Sequence, residues 1–182
     1  MEKTHTLALA REIERLLREL GYKVVMTRSS DKFLELEERA ELARRKTADL
    51  FVSLHFNASV SPGARGIETY CLTPTGQHST NKASGRADLT SEPGNRYDLF
   101  NLQLAFNVQR QLLAQTGAED RGIRRARFAV LRTLTCPGIL IEGGFVSSRV
   151  EGAQIANAAY RQKLAQAIAD GIADYARLLR AK

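Results

Sequence analysis

The sequence predicts an α/β domain built on a mainly parallel twisted sheet with helices on both faces. Amphipathic helical patterns alternate with short apolar runs along the 182 residues, as they do when helices connect parallel strands. The apolar runs at 48–55 and 138–141 have the composition of strands that are covered on both faces. Because the length suits one hydrophobic core, we expect residues 1–182 to form a single domain.

The predicted elements follow in chain order. Apolar residues recur at three- and four-residue steps over residues 7–20, which predicts a helix that ends at Gly21. The same periodicity predicts further helices at 34–46, 99–113, 151–160 and 161–179. Alternating or β-branched apolar residues predict strands at 22–27, 48–55, 66–72, 128–131 and 138–141. Residues 73–96 are polar almost throughout, which indicates a long surface loop at the rim of a substrate site or over it.

The net charge of +7 indicates affinity for polyanions, which include nucleic acids, anionic membrane surfaces and acidic cell-wall polymers. The densest basic cluster comprises Arg121, Arg124, Arg125, Arg127 and Arg132. Phe128 is its only aromatic residue, so a stacking platform for single strands is not supported and we expect no nucleic-acid partner. No apolar run approaches the roughly 20 residues that cross a bilayer, and the amino-terminal residues do not resemble an export signal.

Two cysteines, Cys71 and Cys136, are too few for a disulfide scaffold. Their spacing matches no zinc knuckle. We interpret them as unpaired structural thiols, and the sequence leaves a single bridge between them open.

Three polar residues stand where a ligand site is expected. His55 lies near the carboxyl end of a buried strand, the position where open α/β sheets bind ligands, although a histidine bonded to a backbone carbonyl has the same pattern. Glu142 directly follows the apolar run 138–141, and desolvation there raises a carboxyl pKa toward the range of a general acid or base. A glutamate that caps the next helix or pairs with an arginine is the alternative. Glu2 lies in a helix's first turn, where carboxylates usually only interact with the dipole.

A set of motifs in consistent order runs along nearly the whole chain. They are Glu2-Lys3 before Leu7, Thr27-Arg28 with Asp31, Phe33, Leu36 and Arg39, Asp49 to Ala58 (Asp-Leu-Phe-Val-Ser-Leu-His-Phe-Asn-Ala), Gly66-Ile-Glu68, Arg121-Gly122, Phe128 to Arg132, and Leu140-Ile-Glu142-Gly-Gly-Phe145. Together they resemble the zinc-dependent N-acetylmuramoyl-L-alanine amidases. The resemblance implies hydrolysis of the amide bond between N-acetylmuramic acid and L-alanine, with peptidoglycan or muropeptides as substrate, in the periplasm or the extracellular cell wall.

The resemblance also implies roles for individual residues. In that family, zinc is held by a histidine of the first strand, a glutamate that opens the first helix and a histidine of a serine-x-histidine strand, while a glutamate of the last strand is catalytic. On this chain Glu2 and His55 match two of the zinc ligands, and Glu142 matches the catalytic carboxylate. The resemblance therefore implies a zinc metallohydrolase.

One family segment has no counterpart in the sequence. The first strand, with its glycine-histidine-glycine-glycine motif, would precede Glu2, so we expect an amidase domain that is truncated there and lacks one metal ligand. His5 lies one turn after Glu2 and is a possible substitute, whereas His78 in the polar loop is expected to be solvated. Two alternatives follow: a metal-poor, inactive wall-binding or regulatory domain, or a zinc peptidase that acts on free peptides. The sequence does not specify the oligomeric state.

Overall fold

A four-stranded sheet organises the computed structural model, which describes residues 2–61, 63–81 and 87–180. Its strands are β1 (Phe51–Asn57), β2 (Ile67–Leu72), β3 (Asp120–Ala126) and β4 (Gly138–Phe145). Their spatial order is β1-β4-β2-β3. The pairs β1/β4 and β2/β3 are parallel, and the central pair β2/β4 is antiparallel. The prediction of a mainly parallel sheet is confirmed.

Helices cover both faces of this sheet, as predicted. They are α1 (Glu2–Glu19), α2 (Leu36–Arg45), α3 (Asp98–Thr116), α4 (Ala129–Arg132), α5 (Arg149–Ala156) and α6 (Ala158–Arg180), with a 3-10 turn at Pro93–Tyr97. Because side chains alternate along a strand, Ile139 and Ile141 of β4 pack with α1, α3 and α6, while Leu140 packs with α2 and α4. No helix in the described ranges is long and apolar enough to cross a membrane.

Two strand predictions were wrong. Residues 22–27 pair with no strand in the described part of the chain, and they border, together with β1, an open groove of about 1180 Å³. An apolar pattern is not sufficient for a strand, because the backbone also needs a neighbour to bond. Residues 128–131 fall largely in α4, where the Leu131 N–H closes a turn by donating to the Phe128 carbonyl at 2.9 Å. The strand in this region is instead β3, which contains Arg121, Arg124 and Arg125 of the basic cluster. Strand β4 extends beyond its predicted end at Ile141 to Phe145.

Arginines of the basic cluster hold the described parts of the polar loop at 73–96 against β3. The N–H of Thr80 donates to the Arg125 carbonyl at 2.8 Å, and Arg124 Nη2 donates to the Thr80 carbonyl at 2.7 Å. Further along, Arg127 forms an ion pair with Asp88 at 3.1 Å. Residues 82–86 of the predicted loop, and Pro62 of the preceding one, lie outside the described residues. Part of the positive charge therefore acts within the fold.

Both cysteines are buried and free, which confirms their interpretation as structural thiols. Cys71 lies in β2, and Cys136 precedes β4. Burial raises the pKa of each thiol to about 11. Both thiols therefore stay protonated and unreactive at neutral pH.

Gly171 lies where α6 packs against α3. A Cβ at this position would lie 2.6 Å from Val108 Cα and 3.0 Å from the Asn107 carbonyl oxygen, so the helices would have to separate. We expect Gly171→Ala to lower the free energy of unfolding by about 2 kcal/mol, despite the higher helix propensity of alanine. Urea denaturation measures this loss. Gly63→Ala, which has open space around the new Cβ, should be nearly neutral, and equal stability of the two variants would contradict the prediction.

Candidate functional site

Three polar side chains form a row across neighbouring strands. In the strand register, Glu142 of β4 lies opposite His55 of β1 on one side and opposite Glu68 of β2 on the other. Residues opposite each other on adjacent strands project from the same face, and the strands lie about 5 Å apart. The structure therefore brings His55 and Glu142, both predicted from the sequence, side by side on the face that α2 and α4 cover.

Helix α1 adds Glu2, the third predicted residue, to this row. Glu2 Oε1 lies 3.1 Å from His55 Nδ1 and accepts the Phe56 N–H at 3.3 Å. The hydrogen bond with His55 lowers the pKa of Glu2 below its ordinary value, burial opposes that shift, and the Phe56 N–H adds to it. On the other edge of the imidazole, Nε2 lies 3.1 Å from Ser53 Oγ. A carboxylate oxygen and an imidazole nitrogen thus converge, and zinc takes both types of ligand.

Glu142 has an unusual environment for a carboxyl group. Burial raises its pKa to about 7; a charge on His55 acts in the opposite direction, and the negative charges of Glu2 and Glu68 raise the pKa further. Its Oε2 atom is buried and has no hydrogen-bond partner within the described residues. A buried acceptor without a partner is costly and therefore rare. This oxygen is free to hold a proton, and a pKa near 7 lets the group accept and return one at neutral pH.

Glu68 of the Gly66-Ile-Glu68 motif is a residue of the row that was not predicted from the sequence. Glu68 is only 2% exposed. Its carboxylate accepts hydrogen bonds from the Tyr70 hydroxyl at 2.9 Å and from Asn57 Nδ2 at 3.0 Å. Arg121 Nε donates to it at 3.1 Å, and Arg124 Nη1 lies 3.7 Å away. The available signal was a glutamate inside a strand that otherwise reads as core, because a buried carboxylate requires charged partners.

Neither of the other histidines joins this row as a metal ligand. No group of three or more histidine, cysteine, aspartate and glutamate side chains that could hold a metal occurs in the ranges that the structure describes. His5 has its pKa lowered, chiefly by burial and also by the charge of Arg161. His78 is exposed on the polar loop. Glu2 and His55 are therefore the two candidate donors at the row.

Comparison with solved structures defines the class of protein. The fold superposes on the catalytic domain of CwlV, an N-acetylmuramoyl-L-alanine amidase from Bacillus (Paenibacillus) polymyxa var. colistinus, with a TM-score of 0.79 and 33% identity over 97% of this chain and 86% of that one. The amidase AmiC2 of Nostoc punctiforme gives a TM-score of 0.80 and 31% identity over 97% and 84% of the two chains. The fold is thus that of amidase domains.

The sequence comparison identifies the family. The N-acetylmuramoyl-L-alanine amidase family profile matches residues 1–174, and the chain belongs to this family. Amidase LytC of Bacillus subtilis (strain 168) is 33% identical over 177 residues, which are 97% of this chain and 32% of LytC. Amidase AmiA of Escherichia coli (strain K12) is 30% identical over 96% of this chain and 68% of AmiA. The chain thus spans about a third of LytC and about two-thirds of AmiA.

Proposed function

We propose that this chain is the catalytic part of a zinc-dependent amidase that cleaves the bond between N-acetylmuramic acid and L-alanine in peptidoglycan. One observation carries the proposal: the Glu2–His55 contact lies beside Glu142, whose buried Oε2 has no partner in the described part of the chain. Family membership supports the reaction class, since LytC and AmiA are both named for this activity.

Glu2 and His55 are the residues that would hold the zinc ion. Their chemistry fits the metal, because a carboxylate oxygen and an imidazole nitrogen already lie 3.1 Å apart and both belong to the ligand types that zinc prefers. A catalytic zinc site takes a third protein ligand, which would come from outside the described residues. When bound, zinc supplies a Lewis acid that polarises the amide carbonyl and activates water at neutral pH. The Phe56 N–H fixes the Glu2 carboxylate, and Ser53 fixes the plane of the His55 ring.

Glu142 is the proton carrier in this proposal. Its carboxylate takes a proton from the attacking water as the new carbon–oxygen bond forms, and returns that proton to the amide nitrogen as the carbon–nitrogen bond breaks. The products are the free lactyl carboxylate of the muramic acid and the free amino terminus of the peptide. A pKa of about 7 suits both transfers, because neither protonation state is strongly favoured at neutral pH.

The proposed place of action is outside the cytoplasmic membrane, in the periplasm or the cell wall, because peptidoglycan lies there. The net charge of +7 supports this proposal, since an excess of Lys and Arg favours adhesion to acidic wall polymers. Peptidoglycan or its soluble muropeptide fragments would be the substrate.

Activity is tested with purified muropeptides and added zinc. The 182-residue chain is assayed beside a version extended by a first strand that bears the family's glycine-histidine-glycine-glycine motif. Release of the intact stem peptide is the expected result for the extended version. Little bound zinc and no cleavage would favour the metal-poor wall-binding or regulatory domain, and faster cleavage of free peptides than of muropeptides would favour a peptidase.

Replacing His55 by alanine should weaken zinc binding by more than about 100-fold, because even residues that only orient metal ligands contribute 10- to 100-fold. Competition with a chromophoric chelator measures the affinity, and elemental analysis measures the stoichiometry. His78→Ala removes an exposed histidine from the polar loop and should leave the affinity unchanged. An unchanged affinity in His55→Ala would exclude His55 as a ligand.

A further inference from the structure

We propose that Arg121 binds a carboxylate on the peptide side of the scissile amide, and so gives the enzyme a preference for acidic stem peptides. This inference rests on the proposed function, because it assigns a binding group to the same substrate. The other arginines of the basic cluster contact residues of the polar loop through hydrogen bonds or ion pairs; they are Arg124, Arg125, Arg127 and Arg132. Arg121 instead lies beside the row of polar residues, in contact with Glu68.

A bulge in the sheet directs Arg121 toward Glu68. The register of β2 and β3 shifts between Ile67 and Thr69, so that two residues of β3, Arg121 and Gly122, oppose the single residue Glu68. Gly122 has a φ of +82°, a conformation that L side chains rarely adopt. Such bulges re-aim a side chain and are common beside active sites. The backbone of β3 thus places the Arg121 guanidinium over the neighbouring strand.

Several contacts hold the Arg121 guanidinium in one orientation. Nε donates to Glu68 Oε2 at 3.1 Å, and Nη1 donates to the Arg65 carbonyl at 3.3 Å. The guanidinium carbon lies 5.0 Å from the centroid of the Phe145 ring. Within the described residues Nη2 has no hydrogen-bond partner, and the side chain is 31% exposed. A fixed guanidinium with free N–H groups at the surface is the arrangement that binds carboxylates well.

The local charge balance favours an anion at this position. The Glu68 carboxylate faces two arginines, Arg121 at 3.1 Å and Arg124 at 3.7 Å, so it neutralises only one of these two charges, while Glu142 and Glu2 lie on the other side of Glu68, toward β4 and β1. Arg124 is held in place because its Nη2 donates to the Thr80 carbonyl. The excess charge is therefore fixed at the row and cannot move away into solvent.

The spacing of the strands indicates which carboxylate fits. Arg121 is on β3, and β2 separates that strand from Glu142 on β4, so the two backbones lie about 10 Å apart. An extended peptide advances roughly 3.3–3.6 Å per residue, so this span corresponds to the second or third residue of the stem peptide. A carboxylate on either residue has the required chemistry, and the experiment distinguishes them.

The test compares synthetic muropeptides that carry a free or an amidated carboxylate at the second residue, and the same pair at the third. The zinc-loaded extended enzyme should cleave one free acid about 10- to 100-fold more efficiently, in kcat/KM, than its amide, because a charge-assisted bidentate contact is lost. In Arg121→Ala that ratio should fall to about 1, whatever loss of kcat/KM the two substrates share. Arg121→Lys keeps the positive charge but not the planar guanidinium group, and should give an intermediate ratio of kcat/KM for the free acid to that for its amide.

Arg125→Ala is the matched control. It removes the same charge from the same strand, but its guanidinium donates to Gln77 of the polar loop at 2.6 Å. The preference for the free acid should persist in this variant. A purely structural role for Arg121 would lower kcat/KM for both substrates equally, and that result would overturn the proposal.

Failure of this inference differs from failure of the proposed function. Cleavage without preference at either residue, or a preference that survives undiminished in folded Arg121→Ala, contradicts the role of Arg121. No cleavage of any muropeptide contradicts the proposed function. In that case equilibrium binding of the same four muropeptides to wild type and Arg121→Lys decides the inference, because tighter binding of one free acid should still depend on Arg121.

Discussion

Glu142→Gln should slow amide hydrolysis by orders of magnitude and, at the same time, stabilise the metal-free protein above neutral pH. The activity loss follows from the missing proton carrier, and general acid–base groups contribute roughly 10²- to 10⁴-fold to rates. Glutamine has nearly the same shape as glutamate, so the packing around the row should persist. The kcat for muropeptide cleavage by the zinc-loaded extended enzyme measures the loss. Glu37→Gln, on the exposed surface of α2, should retain full activity.

The stability gain follows from the raised pKa of Glu142. In the folded protein burial raises this pKa from 4.5 to about 7, so folding favours the protonated form. The corresponding stability is fully present below pH 4.5 and is lost as the pH rises through 7, and the loss amounts to roughly 3 kcal/mol. Urea denaturation of the metal-free protein from pH 5 to pH 8 should reveal this decline in wild type and a smaller one in Glu142→Gln. Parallel pH profiles for the two proteins would contradict the assigned burial of the carboxyl group.

The sheet was predictable from the sequence where burial alone determines the strand. The apolar runs in β1 and β4 are covered on both faces, so their apolar composition alone indicates that they are buried strands. β3 was missed because its arginines are stabilised by Glu68 and by the polar loop, which lie far away in the sequence. Residues 22–27 have the composition of a strand, but pairing depends on a neighbour that composition does not encode.

The candidate site was partly predictable for the same reason. Glu142 and His55 interrupt apolar runs, so each is visible as a polar residue in a buried strand. Their adjacency depends on the register of β1 against β4, which local patterns do not contain. Glu68 also interrupts a buried strand, but its role becomes visible only when Arg121, 53 positions later, is seen to donate to it. The charged partners of a buried group can be identified only from the tertiary structure.

Glu151→Ala should cause the largest loss of stability among the variants considered, because this carboxylate joins three elements. Glu151 lies in the first turn of α5 and is 8% exposed. Its Oε1 accepts the Gly66 N–H before β2 at 2.8 Å, and its Oε2 accepts the Phe145 N–H at the end of β4 at 2.8 Å. Truncation leaves two buried N–H groups without acceptors, which should lower the free energy of unfolding by about 3–5 kcal/mol. Urea denaturation measures this loss.

Two variants show whether the loss comes from these buried bonds. Glu119→Ala removes an exposed carboxylate that pairs with Arg65 at 2.6 Å, and should change stability by less than about 1 kcal/mol. Glu151→Gln keeps one carbonyl acceptor for the two N–H groups, so its stability should lie between that of wild type and Glu151→Ala. Stability of Glu151→Ala within about 1 kcal/mol of wild type would show that water replaces both bonds.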